Sequence, residues 1–198
     1  MSTSVRFRSS RNSAACAPRS DRMVPQNPTA VSLETIRAVA IDVDGVLSDG
    51  GLWWGPGGEE WKRFCFADIM GVSLARRAGL ILALISGENS PLVDRYAEKM
   101  LVRHVIKGCR DKAAALREFA AAAGVKLSEV CFMGDDVNDL PAMAIAGLSA
   151  APANAASVVL SRANFIAKAP GGNGAVRELM DALLAARGLT AQEVFTRD

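Results

Sequence analysis

Histidine is nearly absent from this 198-residue chain: His104 stands alone, and the four cysteines (Cys16, Cys65, Cys109, Cys131) form no C-x-x-C pair. Neither spacing suits a zinc site, and the pattern reads as reduced, intracellular thiols. No run of about 18 apolar residues exists, so a transmembrane helix is not expected. A secretory signal is not expected either, because no apolar h-region occurs near the first residue. The chain lacks G-x-x-x-x-G-K-[ST], which excludes P-loop hydrolysis of ATP or GTP. Gly171, Gly172 and Gly174 follow no strand–turn–helix pattern of a dinucleotide fingerprint. The net charge is only +2, and residues 1–22 hold five arginines against one acid. The basic balance therefore belongs to that segment and is no sign of nucleic-acid binding by the rest.

Half of the residues are hydrophobic, enough for one packed core and too many for a disordered chain. Residues 1–33, rich in Ser, Arg, Pro and Ala, read as a disordered basic extension. Either translation starts near Met23 or this is a passive tail; its Arg-rich, acid-poor composition also leaves a transit peptide open. Residues 34–188 read as the folded domain and 189–198 as a C-terminal tail. Apolar, β-branched runs at 37–43, 80–86, 102–106 and 129–134 predict strands, with shorter ones at 148–152 and 163–168. Helices are predicted at 68–78, 90–100, 111–123, 139–146 and 174–187, with Gly79 and Gly124 as stops and Pro91 suiting a first turn. Apolar strands alternating with helices imply an α/β fold: a doubly wound, Rossmann-like parallel sheet. Ligands in such sheets sit beyond the carboxyl ends of the strands.

Residues 46–66 break the alternation. A turn cluster, Gly55-Pro-Gly-Gly58, lies between Leu52-Trp53-Trp54 and Trp61-Lys-Arg-Phe-Cys-Phe66, which predicts a β-hairpin flap. All three tryptophans of the chain lie in it. So short a hairpin cannot bury three indoles by itself, and a subunit interface is expected.

The residues after the strands carry the chemistry. The first strand runs into Asp42-Val-Asp44-Gly45, the second into Ser86-Gly87-Glu88, and the fourth into Gly134-Asp135-Asp136-Val-Asn138-Asp139; Lys112 opens a helix. Residues two apart on a strand point the same way, and two neighbouring carboxylates repel unless a cation holds both. Such a set suits a phosphate and Mg²⁺, a cation that takes oxygen ligands. Asp42, Asp135 and the backbone carbonyl of Asp44 are the expected metal ligands. Asp42 is the candidate nucleophile, forming an aspartyl-phosphate, and Asp44 the acid and base. Ser86 and Lys112 would hold the phosphoryl group; losing the lysine charge would raise the barrier by about 2.7–4 kcal/mol. Asp136 and Asp139 read as supporting groups or helix caps, and His104 as a core or edge histidine.

D-x-D-G-V, Ser-Gly, a lysine and G-D-D-x-x-D, in that order, resemble the haloacid dehalogenase superfamily. Only a hairpin fits between the first two motifs, and one helix and one strand between the next two, so the resemblance implies a member with no cap domain. Residues 36–188 are similar to the 3-deoxy-D-manno-octulosonate 8-phosphate phosphatases, through DVDGVLSDG, the Gly-rich hairpin and the Gly171-Gly-Asn-Gly174-Ala-Val-Arg177-Glu178 run. That resemblance implies Mg²⁺, a homotetramer built through hairpins, sites closed by neighbouring subunits, and a cytoplasmic enzyme of lipopolysaccharide or sialic-acid biosynthesis. No membrane or nucleic-acid partner is implied. Substrate contacts are expected from Gly45, Gly87, Glu88, Lys99 and Arg177, with the glycines at 171–174 as a flexible lid. The family reads T-G-R where this chain has Ser86-Gly87-Glu88. Glu88 with Lys99 is similar to the sister group acting on 2-keto-3-deoxynononic acid 9-phosphate, which tips the substrate toward nine carbons and leaves eight open. Glu88 and Lys99 lie too far apart on one helix to share a substrate, so Lys99 is expected either to serve a neighbour's site or to be a solvated charge.

Two readings from other classes compete. A phospho-receiver domain uses similar residues, but its acceptor follows a later strand. A catalytically retired oligomerisation domain, linked to a sugar-acid cytidylyltransferase, would not need intact motifs.

Overall fold

Short Val-, Ile- and Ala-rich runs become strands here because both of their faces are covered by helices. The computed structural model describes residues 32–196. In chain order the elements are β1 (Ala38–Ile41), β2 (Trp53–Trp54), β3 (Glu60–Trp61), α1 (Phe66–Arg77), β4 (Ile81–Ile85), α2 (Pro91–Met100), β5 (His104–Ile106), α3 (Lys112–Ala123), β6 (Val130–Met133), α4 (Leu140–Met143), β7 (Leu148–Ala151), α5 (Ser157–Leu160), β8 (Phe165–Ile166), α6 (Ala175–Ala186) and α7 (Ala191–Thr196). The disordered extension expected at 1–33 falls almost wholly outside the described residues.

Six strands form one sheet in the order β5-β4-β1-β6-β7-β8, all parallel. In its middle, Ile41 of β1 is in register with Leu84 on one side and Met133 on the other. The chain first winds outward through β4 and β5, then returns to lay β6, β7 and β8 on the opposite side of β1. The winding therefore reverses between β1 and β6, and the crevice beyond their carboxyl ends is where such a sheet binds ligands. No cap domain interrupts this edge: β2 and β3 follow the first motif, and α2 and β5 the second.

Alternate strand residues feed two cores. Val39, Ile41, Leu82, Leu84, Cys131 and Met133 pack with α1, α2 and α6 through Val72, Tyr96, Leu179 and Leu183. Ala38, Ala40 and Ala83 lie on the other face, where Leu116 and Phe119 of α3 fill the space that these small side chains leave. His104, as expected, sits in the edge strand β5, with its ring edge-on to Phe119 at 5.1 Å. Among the described residues, no helix is long and apolar enough to cross a membrane.

Three expectations need correcting. The helix predicted at 139–146 is only Leu140–Met143, preceded by a 3-10 turn at Val137–Asp139. The turn precedes the helix because the Asp139 carboxylate accepts the backbone N–H groups of Asp135 and Asp136, drawing the chain back on itself. The tail marked at 189–198 contains α7, whose buried Val194 joins Leu74 and Leu184 in a small cluster.

The glycine run expected to be a lid is instead scaffolding. Gly171 N–H donates to Asn154 Oδ1 (2.9 Å) and Gly172 N–H to the Val46 carbonyl (2.9 Å). Arg63 donates to the Gly172 carbonyl at 2.9 Å. The buried Asp68 carboxylate of α1 accepts Gly174 N–H (3.0 Å) and Arg177 N–H (2.9 Å), satisfying the first turn of α6. A Cβ on Gly172 would stand 2.3 Å from Asp49 N, at a backbone φ of +62°. Only glycine lets this segment brace the turn after β1 so closely.

The hairpin is shorter than its flanks suggested. Trp53 pairs with Trp61 and Trp54 with Glu60, and an isolated bridge joins Ser48 to Phe64. Trp53, Trp54 and Trp61 remain 52, 75 and 53% exposed, so within one chain the hairpin has no core of its own.

Candidate active site

The site grows from the ends of β1 and β6. Asp42 N–H donates to the Met133 carbonyl (2.9 Å), which extends the β1–β6 ladder by one residue and locks the start of the D-x-D segment. The chain then makes a wide turn over Val43–Leu47, closed by Ser48 N–H on the Val43 carbonyl at 2.9 Å. Gly45 takes φ +92° within it, and a Cβ there would lie 2.1 Å from Asp135 Oδ2. Glycine at 45 is thus what admits the Asp135 carboxylate to the first motif.

One ligating oxygen from each of Asp42, Asp135 and Asp139 lies within 4.8 Å of the others. Lys112 opens α3 and reaches them from below, with its side chain 1% exposed. Its Nζ donates to Asp42 Oδ1 at 2.7 Å and to Asp139 Oδ1 at 2.6 Å. One buried cation therefore bridges two of the three carboxylates, with Asp135 beside them. Burial, followed by the charges of Asp139 and Asp135, raises the Asp42 carboxyl to about 7 even though Lys112 pulls it down. Burial and the Asp139 charge raise Asp135 to about 6. Attraction from Asp42 and Asp139 outweighs the cost of burial at Lys112 and holds it above its ordinary value.

This excess of buried negative charge, presented on hard oxygen donors, is what a divalent cation neutralises. The residues present fit the ion expected from the sequence. Asp42 and Asp135 would hold it by their carboxylates and Asp44 by its backbone carbonyl. Asp139 suits that role less well. Its Oδ1 accepts from Lys112, and its Oδ2 accepts Asp135 N–H (2.9 Å) and Asp136 N–H (3.2 Å). It contacts the lysine and the loop amides instead, as the reading of Asp139 as a supporting or capping group expected.

A cavity of about 220 Å³ opens over these groups, lined by Asp42, Asp44, Gly87, Glu88, Lys112, Asp135, Asp136, Val137 and Asn138. Ser86 lies just beneath, fully buried, its Oγ accepting Glu88 N–H at 3.1 Å. Of the residues singled out in the sequence, Asp42, Asp44, Gly45, Ser86, Gly87, Glu88, Lys112 and Asp135 thus gather at one sheet edge.

Lys99 and Arg177 do not join them. Lys99 Nζ lies 5.9 Å from the Phe66 ring centroid, at the far end of α2. Arg177 Nε pairs with Asp181 on its own helix at 2.8 Å, and its stem packs beside Gly71 of α1. The turn that brings Arg177 N–H onto Asp68 fixes it there, so the expected contact with substrate is not made within one chain. A residue overlooked in the sequence takes a place instead. Lys62, just past β3, has a side chain 3% exposed, and its Nζ lies 2.7 Å from Asp44 Oδ1. The lysine directly after Glu-Glu-Trp was its only signal.

An acidic crevice at the reversal point of a parallel sheet, with Lys112 beneath it, agrees with the resemblance to the haloacid dehalogenase-like hydrolases. The model of that family matches residues 88–179. The 3-deoxy-D-manno-octulosonate 8-phosphate phosphatase of Escherichia coli K12 is 37% identical over 155 residues, 78% of this chain and 82% of that protein. The crystal structure of the Yersinia pestis enzyme of that name superimposes with a TM-score of 0.78 at 33% identity, over 84% of this chain and 89% of that one. The Moraxella catarrhalis enzyme, solved with a magnesium ion, a phosphate ion and a KDO molecule, gives 0.77 at 37% identity, over 78 and 89%. The chain belongs to the 3-deoxy-D-manno-octulosonate 8-phosphate phosphatase family within these hydrolases, and is a phosphoric monoester hydrolase.

Proposed function

We propose that this protein is a Mg²⁺-dependent phosphatase that hydrolyses the phosphate monoester of a 2-keto-3-deoxy sugar acid through an aspartyl-phosphate. The observation that carries the reading is the single lysine shared by buried carboxylates at the switch point, with Asp44 on the wall of the same cavity. Asp42 meets Lys112 through Oδ1, which leaves Oδ2 to attack phosphorus. As the P–O bond to the sugar breaks, Asp44 gives a proton to the leaving alkoxide. It then takes a proton from the water that attacks the acyl-phosphate, releasing phosphate and restoring Asp42. Lys112 has a third N–H for a phosphoryl oxygen, and the Ser86 hydroxyl, which uses its oxygen on Glu88 N–H, has its own hydrogen to donate. Bound Mg²⁺ supplies positive charge against the carboxylates and the phosphoryl group.

Glu88 stands on the cavity rim. A carboxylate accepts hydrogen bonds from hydroxyls and repels another carboxylate, whereas an arginine does the reverse. Glu88, which stands where the octulosonate enzymes have arginine and resembles the nine-carbon group, favours 2-keto-3-deoxynononic acid 9-phosphate, while the relatives' names favour 3-deoxy-D-manno-octulosonate 8-phosphate. Kinetics on both compounds decide between them. The wild type is expected to show the higher kcat/KM on the nine-carbon ester, and Glu88→Arg to move the ratio at least about tenfold toward eight carbons, the scale of one charge-assisted hydrogen bond. A ratio that Glu88→Arg leaves unmoved removes Glu88 from specificity, and no phosphate release from either compound removes the sugar-acid reading.

The reading includes a cytoplasmic homotetramer. Three exposed indoles on a hairpin without its own core support a partner surface of the aromatic kind, and in such an assembly Lys99 would meet a neighbour's substrate. Trp53→Ala/Trp61→Ala is expected to elute as a smaller species in sizing chromatography. An unchanged elution volume would count against the hairpin as the contact.

A further inference from the structure

Lys62 has no part in the chemistry so far, yet it is as secluded as the groups that do. Besides Asp44 Oδ1, its Nζ lies 3.5 Å from Glu60 Oε1. Ser90 Oγ donates to that same Glu60 oxygen at 2.8 Å, and also accepts Leu92 N–H at 3.3 Å as the cap of α2. A continuous polar chain thus runs from the cap of α2, through Glu60 of the hairpin, to Lys62 and on to Asp44. Lys62 also borders a depression with Phe64, Leu92 and Tyr96.

Asp44 needs such a support. It lies in the wide turn, ahead of a glycine at positive φ, and its side chain is 32% exposed. A short carboxylate at that place has several staggered rotamers, some of which point to water. Its Oδ2 is buried without a partner among the described residues, so the contact that selects its orientation is the one at Oδ1.

We propose that Lys62 is a positioning residue for the proton donor, holding the Asp44 carboxylate against the cavity and making the tryptophan hairpin a working part of the active site. The inference rests on the reading of Asp44 as acid and base. It assigns the hairpin a second task besides assembly: an arm that is displaced takes Lys62 with it and leaves Asp44 unheld.

The leaving group separates this role from a merely structural one. A sugar alkoxide needs a proton as it departs, whereas p-nitrophenolate leaves without one. The experiment measures kcat and KM for the Mg²⁺-loaded full chain on the better of the two sugar-acid phosphates and on p-nitrophenyl phosphate. Lys62→Met and Lys62→Gln are each made in the wild-type and in the Asp44→Asn background. In the wild-type background kcat/KM, which reads the steps up to departure of the leaving group and not the acyl-phosphate hydrolysis common to both esters, is expected to fall about 10–100-fold on the sugar ester, a large part of what a general acid contributes. On the aryl ester it is expected to fall less than about threefold, with no further loss in the Asp44→Asn background, as for residues acting through one group. Should Lys62→Met fail to fold, Lys62→Gln is read by the same ratio. Equal losses of kcat/KM on both esters, or a full loss in the Asp44→Asn background, would overturn the positioning role while leaving Asp44 as the acid. If Asp44→Asn itself lowers kcat/KM alike on both esters, the acid reading fails and this inference falls with it.

Discussion

Asp42→Asn is expected to lower phosphate release by about four to six orders of magnitude, the scale seen when a nucleophile is removed from a working constellation. The folded state should survive. The substitution is isosteric, so the ladder contact of Asp42 N–H with Met133 and the core beneath it are retained. The amide oxygen still accepts from Lys112, and Lys112 keeps Asp139. Electrostatics also favour the variant's fold: burial and two neighbouring carboxylates raise the Asp42 carboxyl to about 7, which makes its charge a burden on the native state. An amide carries no such charge. Thermal unfolding in chelator should therefore show a Tm no lower than that of the wild type, on the same sample that has lost turnover. Activity within tenfold of the wild type would exclude Asp42 as the nucleophile. A large drop in Tm would mean that the carboxylate, rather than the bond it forms to phosphorus, is what the site needs.

Much of this site was legible in the sequence because parallel strands all end at one edge. Once residues 37–43 and 129–134 read as strands, Asp42 and Asp135 had to emerge on the same side of the sheet, and Lys112, at the head of a helix leading into β6, faced them. The doubly wound parallel sheet followed from the alternation of strand and helix, though not its strand order. Other features depend on distance along the chain that no local pattern encodes. Lys62 meets Asp44 only because the hairpin folds back over the turn it springs from, with Ser48 bridging Phe64. Asp68 looks like an ordinary acid in the first turn of α1, yet it satisfies the amides that open α6. The glycines at 171, 172 and 174 suggested mobility, but they are there because neighbouring backbone leaves no room for a side chain or requires positive φ. Arg177 stood in a family motif, and the contact it makes is with Asp181, one helical turn onward. A motif reports which residues recur; where each side chain points depends on what packs against its helix.

Lys112→Met is expected to destabilise the metal-free protein by about 3–5 kcal/mol, the range for removing one partner of a buried ion pair. Methionine replaces the stem well, so lost packing contributes little. What is lost is the one positive charge that Asp42 and Asp139 share at 2.7 and 2.6 Å. Three carboxylates within 4.8 Å of one another would then face each other without a lysine between them. Asp139 cannot turn away, because its Oδ2 anchors the amides of Asp135 and Asp136. Urea denaturation in chelator measures the deficit. Adding Mg²⁺ should recover part of it, since an ion bound only by the native state stabilises by about 2.7 kcal/mol at a hundredfold excess over its Kd. Turnover should not recover with it: kcat in saturating Mg²⁺ is expected to stay about 10²–10³ below the wild type, the scale of losing one pre-organised hydrogen-bond donor. The two readouts separate the lysine's roles, because the metal replaces its charge for folding but not its N–H at the phosphoryl group. A deficit below about 1 kcal/mol in chelator, the level of an exposed pair, would show that the carboxylates do not depend on Lys112. Recovery of full turnover with Mg²⁺ would leave the lysine a structural counter-ion alone.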